Sequence, residues 1–273
     1  MTAPAAFDAR SLGDEFQGRK IVLTGACGVL GRWIADAFAR AGARLCLSDR
    51  QESALRELGD ELGIAGNGGL RHVTELADAA SVEELVAAVG SAWGAPDVVV
   101  NNAGVYPSGF LIDIDAAEWD RIFAVNLRAP FLISRGFAKQ MIAARQPGTI
   151  INISSGAARK MRRTVAPYCI SKTALDRLTK GFALELAEFG IRVNAVEPGF
   201  APGSTASPLT PAHVEATLGQ IPLGRGTSQA DLANAILYLC SARAGYITGA
   251  TLSVDGGNSI GSLAVYQDKK RPG

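Results

Sequence analysis

Seven short apolar runs recur along this chain, and helical patterns lie between them. The runs are KIVLT (20–24), RLCLSD (44–49), LRHV (70–73), DVVVN (97–101), TIINIS (149–154), RVNAV (192–196) and TLSVD (251–255). Most are apolar nearly throughout rather than alternating, as strands covered on both faces must be. Residues 32–41, 81–93, 115–145, 168–189 and 228–240 instead carry apolar residues at helical spacing. In the first of these, Ile34, Phe38 and Ala41 share one side, and Arg32, Asp36 and Arg40 another. Strand-helix alternation over such a length predicts an α/β fold, a doubly wound parallel sheet of about seven strands with helices on both faces.

This is the Rossmann arrangement, and no repeat, low-complexity tract or long linker divides it. The expected organisation is one domain over 1–273, with a loose lead-in at 1–17 and a tail at 259–273 that continues past the last strand. Several function classes are disfavoured. A formal net charge of +1 gives no overall field for nucleic acid or an anionic membrane. No apolar run is long enough to span a bilayer, and the N-terminus lacks a basic start followed by an apolar core. Cys27, Cys46, Cys169 and Cys240 form no C-x-x-C pair and read as reduced, packed thiols of a cytoplasmic protein. With His72 and His213 the only histidines, neither a histidine metal site nor a Ser-His-Asp triad is expected.

Ligands of such folds lie beyond the carboxyl ends of the strands. Here those ends are polar or glycine: Thr24 and Gly25, Asp49, Asn101 and Asn102, Ser154 and Ser155, Pro198 and Gly199. The first strand runs into TGACGVLG (24–31), with glycines at 25, 28 and 31. Glycines admit a tight turn and close approach of a phosphate, and a following helix offers free N–H groups and a positive dipole end. Gly25, Gly28, Val29, Leu30 and Gly31 are therefore candidate cofactor contacts. Val29 is expected to offer its backbone N–H while Gly28 supplies the turn. Asp49, 18 residues after Gly31, can accept hydrogen bonds from adenosine ribose hydroxyls and would repel a 2′-phosphate, favouring NAD over NADP. The neighbouring Arg50 pulls the other way, since a guanidinium can bind that phosphate.

YCISK places Tyr168 and Lys172 four residues apart on one helix face. An ammonium beside a phenol favours the phenolate, so the pair is a candidate for proton exchange with a carbonyl or hydroxyl. Ser155, thirteen residues earlier, stands at the end of a central strand, where its hydroxyl can hold the reacting oxygen.

TGACGVLG, Asp49, NNAG (101–104), Asn126 in FAVNL, Ser155, YCISK and PG (198–199) occur in this order from about residue 18 to 258. The chain thereby resembles the short-chain dehydrogenases/reductases, in particular the short single-domain branch. The resemblance implies that Tyr168 is the acid-base residue and that Lys172 lowers its pKa and binds the nicotinamide ribose. It implies that Ser155 holds the reacting oxygen and Asn126 anchors a water of a proton relay. It further implies an Asn102 contact on the adenosine side, a Leu76 contact near the adenine, and a nicotinamide covered by Pro198, Gly199 and Ala201. A homo-oligomer, tetramer or dimer, built on helices 115–145 and 168–189 is implied as well. The chain departs from the branch in three places. Val29 stands where glycine is usual, so that Gly25, Gly28 and Gly31 keep the spacing of the family's longer extended branch; Glu75-Leu76 replaces the usual Asp-Val; and Ser204 or Thr205 can stand in for a displaced threonine.

The segment RKMRR (159–163) between Ser155 and Tyr168 carries four positive charges. It is either a wall that attracts an anionic substrate or a solvated loop. Residues 199–224, rich in Pro, Gly, Ser and Thr around a short helical pattern, read as a substrate lid. The leading expectation is an NAD-dependent oxidoreductase interconverting a secondary alcohol and a ketone, with a small-molecule substrate. Alternatives are an NADPH-dependent 3-oxoacyl reductase and a dinucleotide-binding protein without catalysis.

Overall fold

Residues 15–106, 108–203, 209–261 and 263 are described in a computed structural model of the chain. Its elements are β1 (Lys20–Thr24), α1 (Val29–Arg40), β2 (Arg44–Asp49), α2 (Glu52–Glu61), β3 (Leu70–Val73), α3 (Ala79–Trp93), β4 (Val98–Asn101), α4 (Ala116–Phe123), α5 (Ala129–Ala143), β5 (Gly148–Ile153), α6 (Ala166–Leu186), β6 (Ile191–Pro198), α7 (Pro211–Leu218), α8 (Gln229–Cys240) and β7 (Thr251–Val254). The strands form one sheet in the order β3-β2-β1-β4-β5-β6-β7, and every pairing is parallel.

The non-alternating strands have the predicted cause. Ile21 and Leu23 of β1, Val98 and Val100 of β4, and Ile151 and Ile153 of β5 face a core shared with α1, α2 and α8. Val22, Val99 and Ile150, their neighbours in sequence, face the opposite core, shared with α3, α5 and α6. Each fully buried aliphatic side chain contributes about 1.5–3 kcal/mol, so both layers draw on the same strands. The edge strands β3 and β7 are only half-covered. Val73 of β3 and Leu252 of β7 are exposed, so the apolar character of the two edge strands is not explained by burial.

The order reverses between β1 and β4, so the chain leaves those strands in opposite directions and opens a crevice at their carboxyl ends. Polar residues seam the sheet beneath it. Asn101 donates to Ser134 Oγ at 3.0 Å and to Asn152 Oδ1 at 2.8 Å, and Asn152 donates to Thr179 Oγ1 at 2.9 Å.

Three expectations change. The helix expected over 115–145 is two helices separated by a π-turn at Ala124–Arg128. The lead-in is not loose where it is described. Phe16 is fully buried, with its ring edge-on to Phe38 at 5.4 Å, and Glu15 accepts from the Ala242 N–H. The segment expected to be a lid contains α7, and its end is fastened down: Ile221 is buried, and Leu223 N–H donates to the Gly256 carbonyl. Ser204 and Thr205 and most of the tail lie outside the described residues.

Candidate active site

The glycine loop divides its work differently from the sequence expectation. Gly25 makes the turn, with φ 63°, and a Cβ there would come within 2.7 Å of Ala103 Cα. Gly31 leaves room for the loop carbonyls; a Cβ would run into the Gly25 oxygen and sit 2.8 Å from that of Ala26. Gly28 has φ −71° and ψ 166°, which any residue adopts, so it does not supply the turn. A Cβ at Gly28 would meet nothing nearer than the Gly25 oxygen at 3.6 Å. Neither backbone nor packing demands glycine there, yet the position is exposed at the start of α1. That is the open approach a phosphate needs. α1 has no side-chain cap and no acid in its first turn, whereas α3, α4, α7 and α8 are capped by Asp78, Asp115, Thr210 and Ser228. The N–H groups of Val29, Leu30 and Gly31 thus have no intrahelical partner and stand at the positive end of the helix. These features fit a dinucleotide.

Asp49 closes the loop from the side. Its carboxylate accepts from Cys27 N–H at 3.0 Å and Gln51 N–H at 3.2 Å, so each oxygen is oriented and keeps a free lone pair. Burial, and then the Asp49 charge, push the Cys27 thiol up to about 12, so it stays protonated at neutral pH. Arg50 is exposed beside it. Asn102 supports the glycine loop: its amide NH2 donates to the carbonyls of Thr24 at 3.0 Å and Gly25 at 2.9 Å. It braces the glycine loop from β4 rather than leaving its amide hydrogens for adenosine. Leu76 rests its side chain on the core, so an adenine contact there falls to its backbone. Gly199, after Pro198, packs so closely that a Cβ would lie 2.7 Å from Asp255 Cα, and Ala201 beyond it is half-buried.

The proposed chemistry gathers at the ends of β4 and β5 and on α6. Ser155 follows β5 and accepts from Ala157 N–H at 3.2 Å. Tyr168 lies in the first turn of α6. Lys172, one turn on, is buried; its Nζ donates to the Ile153 carbonyl at 2.7 Å and lies 5.8 Å from the Tyr168 ring centroid. Gly104 passes close above, where a Cβ would stand 3.5 Å from both Lys172 Nζ and Asn126 Oδ1. Asn126, fully buried in the π-turn, clamps the strand-end loop. Its Oδ1 accepts from Val105 N–H at 2.8 Å, and its Nδ2 donates to the Val105 carbonyl at 3.0 Å and Ser171 Oγ at 3.1 Å. The side-chain amide is thus engaged by Val105 and Ser171.

The protonation of the Tyr168–Lys172 pair also differs from the sequence expectation. Burial pushes the Tyr168 phenol up to about 12; a hydrogen bond with Ser155 opposes this, Tyr106 adds to it, and Arg162 works against it. Desolvation is the largest of these influences, so the phenol is raised rather than lowered. Burial instead brings Lys172 down from 10.5 to about 8, with Asp176 partly offsetting the drop. Adjacency on the helix is therefore not enough, because desolvation outweighs the attraction in this cleft.

Side chains the motifs did not single out complete the walls. The Tyr106 ring stands edge-on to Tyr168, with centroids 4.5 Å apart. The basic run splits into different roles. Arg159 pairs with fully buried Glu197, which also accepts from Ser253 Oγ at 2.6 Å. Arg163 lies 5.1 Å from the Phe110 ring centroid. Lys160 and Met161 are exposed, which leaves half-buried Arg162 as the cation whose field reaches Tyr168. Glu197 carries no sequence signal at all, since it lies 38 residues from its partner. Among the described residues no cluster of His, Cys, Asp and Glu could hold a metal ion, and no helix is long and apolar enough to cross a membrane.

Comparison with known proteins agrees with this geometry. A family model described as enoyl-(acyl carrier protein) reductase matches residues 25–259. Sorbitol dehydrogenase of Cereibacter sphaeroides is 32% identical over 255 residues, covering 89% of this chain and 98% of that protein. The 3-oxoacyl-(acyl-carrier-protein) reductase FabG of Escherichia coli (strain K12) is 34% identical over 243 residues, with coverage of 89% and 98%. Among solved structures, a gluconate 5-dehydrogenase from Burkholderia cenocepacia J2315 in complex with NADP and tartrate superposes with a TM-score of 0.83 at 31% identity, covering 91% of this chain and 98% of that one. With the fold, the strand-end site and these likenesses over nearly the whole length, the chain belongs to the short-chain dehydrogenase/reductase family, NAD(P)-dependent enzymes acting on CH–OH groups.

Proposed function

We propose that this enzyme interconverts a secondary alcohol and a ketone with a preference for NAD, and that Tyr168 carries the proton. The observation behind the reading is the convergence of Ser155, Tyr168 and buried Lys172 beyond β5, facing the uncapped start of α1 across the crevice. The N–H groups of Val29, Leu30 and Gly31 hold the pyrophosphate, with Gly28 leaving room. Asp49, already oriented by two N–H groups, accepts from the adenosine ribose and repels a 2′-phosphate. Exposed Arg50 is the one feature of this end that would suit NADP. Leu76 and Asn102 border the adenosine side, and Pro198, Gly199 and Ala201 the nicotinamide.

Bound NAD(H) supplies hydride exchange at the carbon. At neutral pH the Tyr168 phenol is protonated, which is the form that donates to a ketone oxygen. Ser155 holds that oxygen in place. Lys172, titrating near 8, exchanges protons readily at neutral pH and suits a relay that reloads the phenol through a water held at Asn126. The complete set of acid-base residues argues against a protein that binds a dinucleotide without turnover. A 3-oxoacyl substrate gains no particular support, because two of the four cations that suggested it are engaged by Glu197 and Phe110.

The exposed Phe131, stacked on Phe182, and exposed Leu184 make the α5–α6 face the pairing surface of a homo-oligomer. Four free cysteines suit a reducing, cytoplasmic setting. The test is a ketone panel with NADH and NADPH, run on wild type and Tyr168→Phe. NADH should give the higher catalytic efficiency. The variant should lose turnover by roughly 10²–10⁴-fold while NADH fluorescence still reports binding. An NADPH preference would overturn the cofactor assignment, and full activity in the variant would overturn the role of Tyr168.

A further inference from the structure

The two walls of the substrate cleft are fastened to each other. Gly109 N–H donates to the Thr164 carbonyl at 2.7 Å, and Arg163 stacks on Phe110. Thr164 is held at φ 68°, a left-handed conformation that a β-branched residue adopts only when its surroundings impose it. This clasp holds residues 109 and 110 against the loop before α6. Tyr106, on the segment that follows NNAG, sets its ring edge-on against Tyr168 at 4.5 Å and 69°. Tyr106 is 41% exposed, and its phenol has no hydrogen-bond partner among the described residues. Tyr168, beside it, is the residue that meets the reacting oxygen. A second, partly exposed phenol is thus held edge-on against the first.

Packing alone does not account for a tyrosine here. A phenylalanine would seal Tyr168 equally well, and an open hydroxyl adds nothing to the core. A phenol hydroxyl both donates and accepts, so it suits a neutral oxygen that also does both. We propose that Tyr106 is a specificity residue that binds a second substrate hydroxyl on the carbon next to the reacting one, so that the enzyme selects vicinal diols, the unit of polyols, over matched mono-alcohols. The proposal rests on reading the cleft as the place where a carbinol is oxidised or a ketone reduced. Its selectivity follows from the asymmetry of buried hydrogen bonds. A mono-alcohol leaves the Tyr106 hydroxyl unpaired under the bound substrate, which a diol does not.

The experiment compares 2,3-butanediol with 2-butanol in wild type and Tyr106→Phe, using NAD. Wild type should favour the diol in kcat/KM, and the variant should lower the diol-to-mono-alcohol ratio by roughly three- to tenfold. A structural role for the ring would not produce this change, because phenylalanine keeps the ring. An unchanged ratio, or no preference in wild type, overturns the inference. If wild type turns over neither compound, the same pair is titrated into the enzyme–NADH complex and followed by NADH fluorescence. Tighter diol binding that Tyr106→Phe erases then upholds Tyr106 while the redox reading fails. Equal binding of the two compounds overturns Tyr106.

Discussion

Lys172→Met should make this protein more stable at neutral pH and inactive. Lys172 is 3% exposed, and its Nζ reaches the Ile153 carbonyl at 2.7 Å. The drop from 10.5 to about 8 is caused first by burial. At 1.36 kcal/mol for each tenfold in proton affinity, keeping the ammonium charged in this place costs about 3 kcal/mol. Methionine keeps much of the stem and carries no charge. It forfeits the hydrogen bond to Ile153, about 1 kcal/mol. The net gain is about 2 kcal/mol, or roughly 4–8 °C in Tm for a domain somewhat smaller than this one.

The pH dependence gives the sharper check. The folded state holds the Lys172 proton less tightly than the unfolded chain, so the stability deficit is fully present below about pH 8. It is released as pH rises from about 8 towards 10.5. The advantage of Lys172→Met should therefore shrink across that range. Cys27, Cys46, Cys240 and Tyr168 have raised values and act with the opposite sign, losing stability as pH climbs past their ordinary values. They are common to both proteins and cancel in the difference. Thermal melts of the two cofactor-free proteins from pH 7 to 10 measure it. A variant no more stable than wild type at pH 7, or a gap that does not narrow, would refute the claim that the ammonium strains the fold. A lysine kept in place at a cost to stability belongs to function.

Two further sets of variants separate structural from functional residues. Gly31→Ala drives a Cβ into the Gly25 carbonyl and should cost about 1–3 kcal/mol. Gly28→Ala should change stability by less than about 0.5 kcal/mol yet weaken NADH binding measured by fluorescence; unimpaired binding would mean that no phosphate approaches there. In the basic run, Arg159→Ala strands the buried Glu197 carboxylate and should cost about 2 kcal/mol, less than for a wholly buried pair because Arg159 is itself partly exposed. Arg162→Ala should leave Tm nearly unchanged and reduce efficiency more for carboxylated substrates than for neutral ones; equal losses would show that Arg162 does not read substrate charge.

The strands of the central sheet were legible because their residues are apolar on consecutive positions, and two packed faces leave little else for such runs to do. The order of motifs placed the site at the strand ends for the same reason, since periodicity and spacing are local properties. What the sequence could not disclose depends on residues that meet across space. The break in the 115–145 helix falls where the Asn126 side chain grips both backbone groups of Val105. Phe16 is ordered because a ring on α1 awaits it. Glycine spacing identified the loop but not its angles, which is why the turn belongs to Gly25 and the opening to Gly28. Charge shows the limit most clearly. Four cations in five residues look alike in sequence, but Glu197 takes one, Phe110 another, and one is left facing Tyr168. Tyr168 and Lys172 likewise share a helix face as their spacing requires. The sign of their protonation is set instead by how little water reaches them, and that follows from the strand-end loops closing over α6. Motif spacing thus points to where the proposed chemistry lies, and burial sets which proton each residue keeps.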